Sequence, residues 1–245
     1  MGLPEEILTS LEQNAAPLFA RIVERQLKAP EDEKNISAGI RTFGTSDDEV
    51  SERVRTQYEE NPYPRWSGSL GAKQIQFPDF LKDSFPHLPD GAGVGNGPLD
   101  ILIAGCGTGR QAIHSALKYA DSQLLALDLS KASLAYAIRK ARQLGVGNID
   151  FMQADILSLN ELERSFDIVE CVGVLHHMDD PLAGWSILVD RLKGGGFMRI
   201  GLYSESAHRY VTSARDFALE HGYEASVEGI RAFRQALLAL PDKDP

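Results

Sequence analysis

The sequence predicts an α/β fold: a doubly wound, mostly parallel sheet behind a helical N-terminal region. Three observations predict it. From Leu99 onward, short apolar runs alternate with amphipathic stretches at helical spacing. Several of the runs are almost uninterrupted, as strands buried on both faces must be. The first run leads through closely spaced glycines directly into a helix.

Taken in order, residues 3–29 carry Ile7, Leu8, Leu11, Leu18, Ile22, Val23 and Leu27 at helical spacing, with Pro17 placed to start a second helix. Residues 47–60 read as a helix capped by Ser46 or Asp47 and stopped at Asn61-Pro62. Tyr63-Pro64-Arg65-Trp66 is too proline-rich for regular structure. Phe77–Phe85 suggests a short helix, and the glycine-rich stretch Gly91–Pro98 a linker. The strands are expected at Asp100–Ala104, Gln123–Asp128, Ile149–Gln153, Phe166–Cys171 and Phe197–Leu202. Helices are expected at Arg110–Tyr119, Lys131–Leu144 and Pro181–Leu192. Residues 205–221 and 226–240 read as helices with no further strand, Ile230, Phe233, Leu237 and Leu240 forming an apolar stripe. The expected organisation is a helical cap over 1–95, an α/β domain over 96–204 and a helical segment over 205–245.

Composition excludes some functions. The 245 residues hold 25 Lys+Arg against 35 Asp+Glu, a formal charge of −10. Nucleic-acid binding rests on a cationic surface, so no nucleic-acid partner is expected, nor an anionic membrane. The two cysteines, Cys106 and Cys171, give no disulfide framework and are expected as free thiols. No apolar run is long enough to span a bilayer and none near Met1 resembles a leader, so a cytoplasmic setting is expected. Oligomeric state is not legible.

The glycine turn carries the chemistry. Gly105, Gly107 and Gly109 fall at alternate positions, and Asp128 ends the next apolar run. Glycine lets backbone approach a ligand, and a carboxylate at that strand tip is placed for ribose hydroxyls. A dinucleotide fingerprint would put its third glycine at Arg110, so the spacing favours a nucleoside without phosphates. Asp128 and Asp155 each have a plainer reading as helix caps.

Ala104–Gly109 resembles motif I of the class I S-adenosylmethionine-dependent methyltransferases, whose domain is Rossmann-like. Asp128 matches that family's ribose-binding acid. Gln153-Ala154-Asp155-Ile156 matches the segment that binds near the adenine amino group, and Phe166–His177 the fourth-strand motif. Leu192–Gly196 resembles the turn before strand five, with glycine where proline is usual. The resemblance spans roughly 99–204. It implies S-adenosylmethionine as methyl donor, S-adenosylhomocysteine as product, and a small-molecule O, N or C nucleophile as acceptor. It implies cofactor contacts at Ala104, Gly105, Cys106, Gly107, Gly109, Asp128, Leu129, Ala154, Asp155, Ile156 and Cys171. The family's sixth and seventh strands have no counterpart in the pattern after 205.

Gln57–Trp66 resembles a segment of bacterial methyltransferases of unassigned acceptor. Tyr58, Tyr63, Arg65 and Trp66 read either as a lid, with Arg65 holding a carboxylate, or as an anchor for the N-terminal helices. His176 and His177 follow the fourth strand, where acceptors sit in the family, and are candidate bases or packing residues. No metal site is expected: adjacent histidines should point apart. Arg199, inside an apolar run, is expected to reach an acid. A regulatory nucleoside-binding module and an NAD-dependent oxidoreductase are the alternative readings, the second disfavoured by Arg110.

Overall fold

The computed structural model describes residues 17–44, 47–89, 97–119 and 121–240. The helical pattern over 3–16, the cap candidate Ser46 and most of the glycine linker lie outside them. Contacts divide the chain into two units, residues 1–201 and 202–245.

The first unit opens with helix α1 (Pro17–Val23), a π-helical turn (Glu24–Lys28) and α2 (Ala29–Ala38). The predicted helix therefore runs on well past residue 29. Strand β1 (Thr42–Phe43) and helices α3 (Glu49–Glu60) and α4 (Phe77–Ser84) follow. The cap of α3 is Asp48, one residue beyond the predicted Asp47. Its carboxylate accepts from Ser51 N. Then come β2 (Leu99–Ala104), α5 (Arg110–Lys118), β3 (Ser122–Asp128), α6 (Lys131–Gln143), β4 (Ile149–Ala154), β5 (Phe166–Val172), α7 (Pro181–Asp190) and β6 (Leu192–Gly201). A 3₁₀ turn over Ile156–Glu161 takes the place of a helix after β4.

The sheet order is β1-β4-β3-β2-β5-β6, and every pairing is parallel. Chain order reverses at β2, with β3 on one side and β5 on the other. In such a sheet the crevice at the carboxyl ends of the strands is where ligands bind. Alternate residues of the central strands feed two cores. Ile101, Ile103, Leu124, Ala126 and Ile168 meet Ala112 and Ala116 of α5, Leu134 and Ala135 of α6, and Phe77 and Leu81 of α4. Leu102, Leu125, Leu127, Val169 and Cys171 meet Leu159 and Leu188 of α7 on the other face. Burial on both faces explains why the strands read as near-continuous apolar runs.

Two expectations change. The sequence gives no sign of β1, which consists of two residues, Thr42 and Phe43, paired with Gln153 and Ala154. Strand β6 is longer than predicted and only partly buried, because among the described residues it lies at the sheet edge and pairs with β5 alone. Arg199 is tolerated there for that reason: its head is largely exposed and stands 3.9 Å from the buried Glu170 carboxylate.

The second unit holds α8 (Arg209–Glu220) and α9 (Val227–Ala239), and no strand follows β6 among the described residues. Neither helix has a buried residue. The predicted stripe is thus only partly covered: Phe233 meets Phe217 and Tyr223, while Ile230 and Leu240 stay exposed. No helix among the described residues is long and apolar enough to cross a membrane.

Candidate active site

The three glycines of the β2–α5 turn all have left-handed backbone, with φ of 73° at Gly105, 52° at Gly107 and 80° at Gly109. Other residues pay for that region, which is why the glycines alternate so strictly. Two of them also allow close approach. A Cβ on Gly105 would lie 2.3 Å from Val174 Cγ2, and one on Gly109 2.4 Å from Ala137 Cβ. Gly109 is the N-cap of α5 and lies against Ala137 of α6, where a Cβ would not fit. Arg110 itself is exposed. Its side chain therefore does not obstruct packing.

Asp128, at the tip of β3, is tied to this turn. Its Oδ2 accepts from Gly107 N at 2.7 Å and its Oδ1 from Ser130 N at 3.0 Å. Burial pushes its carboxyl above the ordinary range, partly offset by these backbone donors. Leu129 follows, and its carbonyl accepts from Gln153 Nε2 at 2.8 Å. Gln153 also receives Thr42 Oγ1 at 2.9 Å, so the edge strand steadies the ends of β3 and β4.

Asp155 is almost fully buried and caps the 3₁₀ turn through Oδ1, which accepts from Leu157 N at 3.0 Å. Its Oδ2 is buried and has no hydrogen-bond partner among the described residues. Such an atom is costly unless a donor arrives. A cleft of about 330 Å³ lies here, lined by Leu129, Ala154 and Asp155 together with Phe43, Ser51 and Arg55 of the N-terminal region. Ile156 is buried beside Asp155 at the start of the turn.

Ala104, Cys106 and Cys171 are small buried residues at the strand ends. Both thiols are free. Burial raises Cys106 well above its ordinary value and Cys171 to about 12, so neither is a thiolate near neutrality. His176 and His177 form a short 3₁₀ turn after β5. Their rings do not point apart as expected; the centroids are 4.2 Å from each other. Partial burial lowers the His177 pKa, which favours the neutral imidazole. Among the described residues no three His, Cys, Asp or Glu side chains converge as a metal would require.

The segment after α3 lies on the same loops. Trp66 is buried, donates from Nε1 to Thr108 O at 3.0 Å, and meets the Tyr136 ring edge-on. Tyr136 OH donates to Trp66 O, and Thr108 Oγ1 donates to Pro64 O at 2.6 Å. Arg65 pairs with the buried Glu33 at 3.1 Å, a carboxylate that Arg139 also holds at 2.9 Å. The structure therefore gives Arg65 a carboxylate partner inside the chain. Tyr63 is 72% exposed, and its carbonyl lies 3.9 Å from where a Gly107 Cβ would stand. Tyr58 accepts through its carbonyl from Ser130 Oγ at 3.0 Å.

Sequence reasoning singled out neither Glu59 nor Thr108, nor Glu170. The first two join the segment to the turns; the third is buried on β5 and held by Gln111 and Ser115. A carboxylate in the middle of the apolar run Phe166–Val172 was the one available sign of such a network.

Residues 101–196 match the family model described as a methyltransferase domain. Over these residues the α/β unit is similar to a methyltransferase domain. The methyltransferase match covers β2 through the first half of β6, and so contains the glycine turn, Asp128 and Asp155. An uncharacterised protein of Synechococcus sp. is 30% identical over 216 residues, covering 81% of this chain and 49% of that protein. The trans-aconitate 2-methyltransferase of Deinococcus radiodurans is 34% identical over 126 residues, covering 50% of this chain and 46% of its own. The chain thus spans about half the length of these curated relatives. The magnesium protoporphyrin IX methyltransferase of Synechocystis, solved with S-adenosylmethionine, aligns at 25% identity over 61% of this chain and 75% of its own, with a TM-score of 0.42.

Proposed function

We propose that this chain binds S-adenosylmethionine at the carboxyl ends of β2, β3 and β4 and transfers its methyl group to a small-molecule O, N or C nucleophile. The observation that carries the reading is Asp128. A carboxylate bonded to Gly107 N–H makes the β3 tip and the glycine turn one preorganised cradle for a ribose. The orphaned Asp155 Oδ2 fits the same ligand, since the adenine amino group is a donor and a buried acceptor needs one.

In this reading the Gly105–Gly109 backbone lies along the methionine and ribose. Asp128 takes the ribose hydroxyls, Asp155 the adenine amine, and Leu129 and Ile156 the faces of the base. Ala104, Cys106 and Cys171 leave room at the strand ends. The cofactor supplies an electrophilic sulfonium methyl, so the protein's task is to align the acceptor and exclude water. Trp66 lies against the glycine turn and Tyr58 against the turn after Asp128, with Arg65 and the exposed Tyr63 between them as a wall of the site. His176 and His177 border the acceptor side, where a neutral imidazole takes a proton from a hydroxyl or ammonium acceptor. The acidic chain favours small acceptors over polyanions. The Deinococcus relative, named for methylation of trans-aconitate, also favours a small-molecule acceptor.

The test is turnover. Incubation with S-adenosylmethionine and a panel of small hydroxyl, amine and activated-carbon acceptors should release S-adenosylhomocysteine, followed by mass spectrometry, with at least one acceptor gaining a methyl group. A chain that binds the donor but methylates nothing across a broad panel would favour a regulatory module instead.

A further inference from the structure

Residues 58–66 touch two different turns of the candidate cofactor site, one at each end. At the first end, Glu59 Oε1 accepts from Lys131 N at 2.7 Å and Oε2 from Ala132 N at 3.0 Å. Beside it, Ser130 Oγ donates to Tyr58 O and accepts from Ser133 N, both at 3.0 Å. The free N–H groups that open α6 are thereby satisfied, two of them by a carboxylate 72 and 73 residues away in sequence. Only Ser130 separates these N–H groups from Asp128 and Leu129. At the other end, Thr108 is held on both sides: its hydroxyl donates to Pro64 O and its carbonyl accepts from Trp66 Nε1. Between the two ends, Pro62 and Pro64 limit the backbone. The turns are joined a second time through Asp128, which bonds Gly107 N.

We propose that Tyr58–Trp66 is a strap that fixes the glycine turn and the Asp128 turn relative to each other, with Glu59 as the positioning residue that fastens it. The proposal rests on the S-adenosylmethionine reading for its consequence in binding, but the strap itself is a property of the ligand-free chain. Glu59 needs both carboxylate oxygens for its role, since each takes one N–H. Glutamine at this position retains one acceptor. Thr108 provides an independent handle on the opposite end.

The experiment measures ligand-free amide exchange and S-adenosylhomocysteine affinity in the whole chain and in Glu59→Ala, Glu59→Gln, Thr108→Val and the Glu59→Ala/Thr108→Val double variant. A strap predicts that Glu59→Ala speeds exchange at Gly107 as well as at Lys131 and Ala132, and that Thr108→Val speeds exchange at Lys131 and Ala132. It predicts an affinity loss of roughly tenfold for Glu59→Ala, the scale of one charge-assisted hydrogen bond, partly recovered in Glu59→Gln. The losses in the double variant should not multiply, since each substitution loosens the same strap: the Ser130–Tyr58 bond remains after Glu59→Ala and the Trp66–Thr108 carbonyl bond after Thr108→Val. Exchange changes confined to the end that was mutated, or affinity losses that multiply, would overturn the strap and leave Glu59 a local helix cap. If Glu59→Ala does not fold, Thr108→Val with exchange read at Lys131 and Ala132 decides the question. If the unaltered chain does not bind S-adenosylhomocysteine, the donor reading fails while the exchange result still decides the strap.

Discussion

Asp128→Ala is expected to lower affinity for S-adenosylhomocysteine by at least about a hundredfold in a calorimetric titration. Two ribose hydroxyls donating to one carboxylate make hydrogen bonds of roughly 1.5–3 kcal/mol each, and every 1.4 kcal/mol is about tenfold in affinity. The substitution also releases Gly107 N and Ser130 N, which Asp128 holds in the free chain. The loss therefore combines a missing ligand contact with a less ordered cradle. Asp128→Asn separates the two. It keeps one acceptor oxygen for the backbone but replaces the other with a donor, and an intermediate loss is expected. Unchanged affinity in Asp128→Ala, in a chain with its unfolding midpoint intact, would remove Asp128 from the site.

Gly109→Ala has the largest expected effect on stability. The new methyl group would stand 2.4 Å from Ala137 Cβ and 3.0 Å from Ala137 Cα, and backbone does not yield as a side-chain end would. Left-handed backbone costs a non-glycine residue roughly 1–2 kcal/mol, and overpacking typically adds about 1–3 kcal/mol. Denaturant unfolding should show a loss of about 2–5 kcal/mol on that basis, a large share of what holds a domain together. Gly107→Ala is the control: it shares the left-handed backbone, but the nearest atom to its Cβ is Tyr63 O at 3.9 Å. It should lose only the backbone component. Equal losses at the two positions would show that close packing of α5 on α6 is not what Gly109 provides.

These positions also show what the sequence could and could not reveal. Gly105, Gly107 and Gly109 are legible because left-handed backbone is nearly exclusive to glycine, so a conformational demand leaves a mark on residue type. Strands β2 and β3 are legible because burial on both faces demands apolar residues throughout. Strand β1 is invisible: two residues carry no period, and it exists only because Gln153 and Ala154 offer an open edge. Helix α9 shows the opposite failure, a periodic apolar pattern whose Ile230 remains exposed. Contacts across long separations were equally hidden. Nothing in Asn-Pro-Tyr-Pro-Arg-Trp says that Arg65 meets Glu33, or that the preceding Glu59 reaches the start of α6. The segment's residue types suit a lid or an anchor; the hydrogen bonds of Trp66 and Pro64 to Thr108 are contacts that residue type alone does not disclose.

The central claim is that the glycine turn, Asp128 and Asp155 recognise an adenosyl group that carries no phosphate. Calorimetric titration of the unaltered chain with S-adenosylhomocysteine and, separately, with NAD tests it most directly. Saturable one-to-one binding of S-adenosylhomocysteine, with no heat from NAD at the same concentrations, is the predicted result. Binding of NAD in preference to S-adenosylhomocysteine would contradict it.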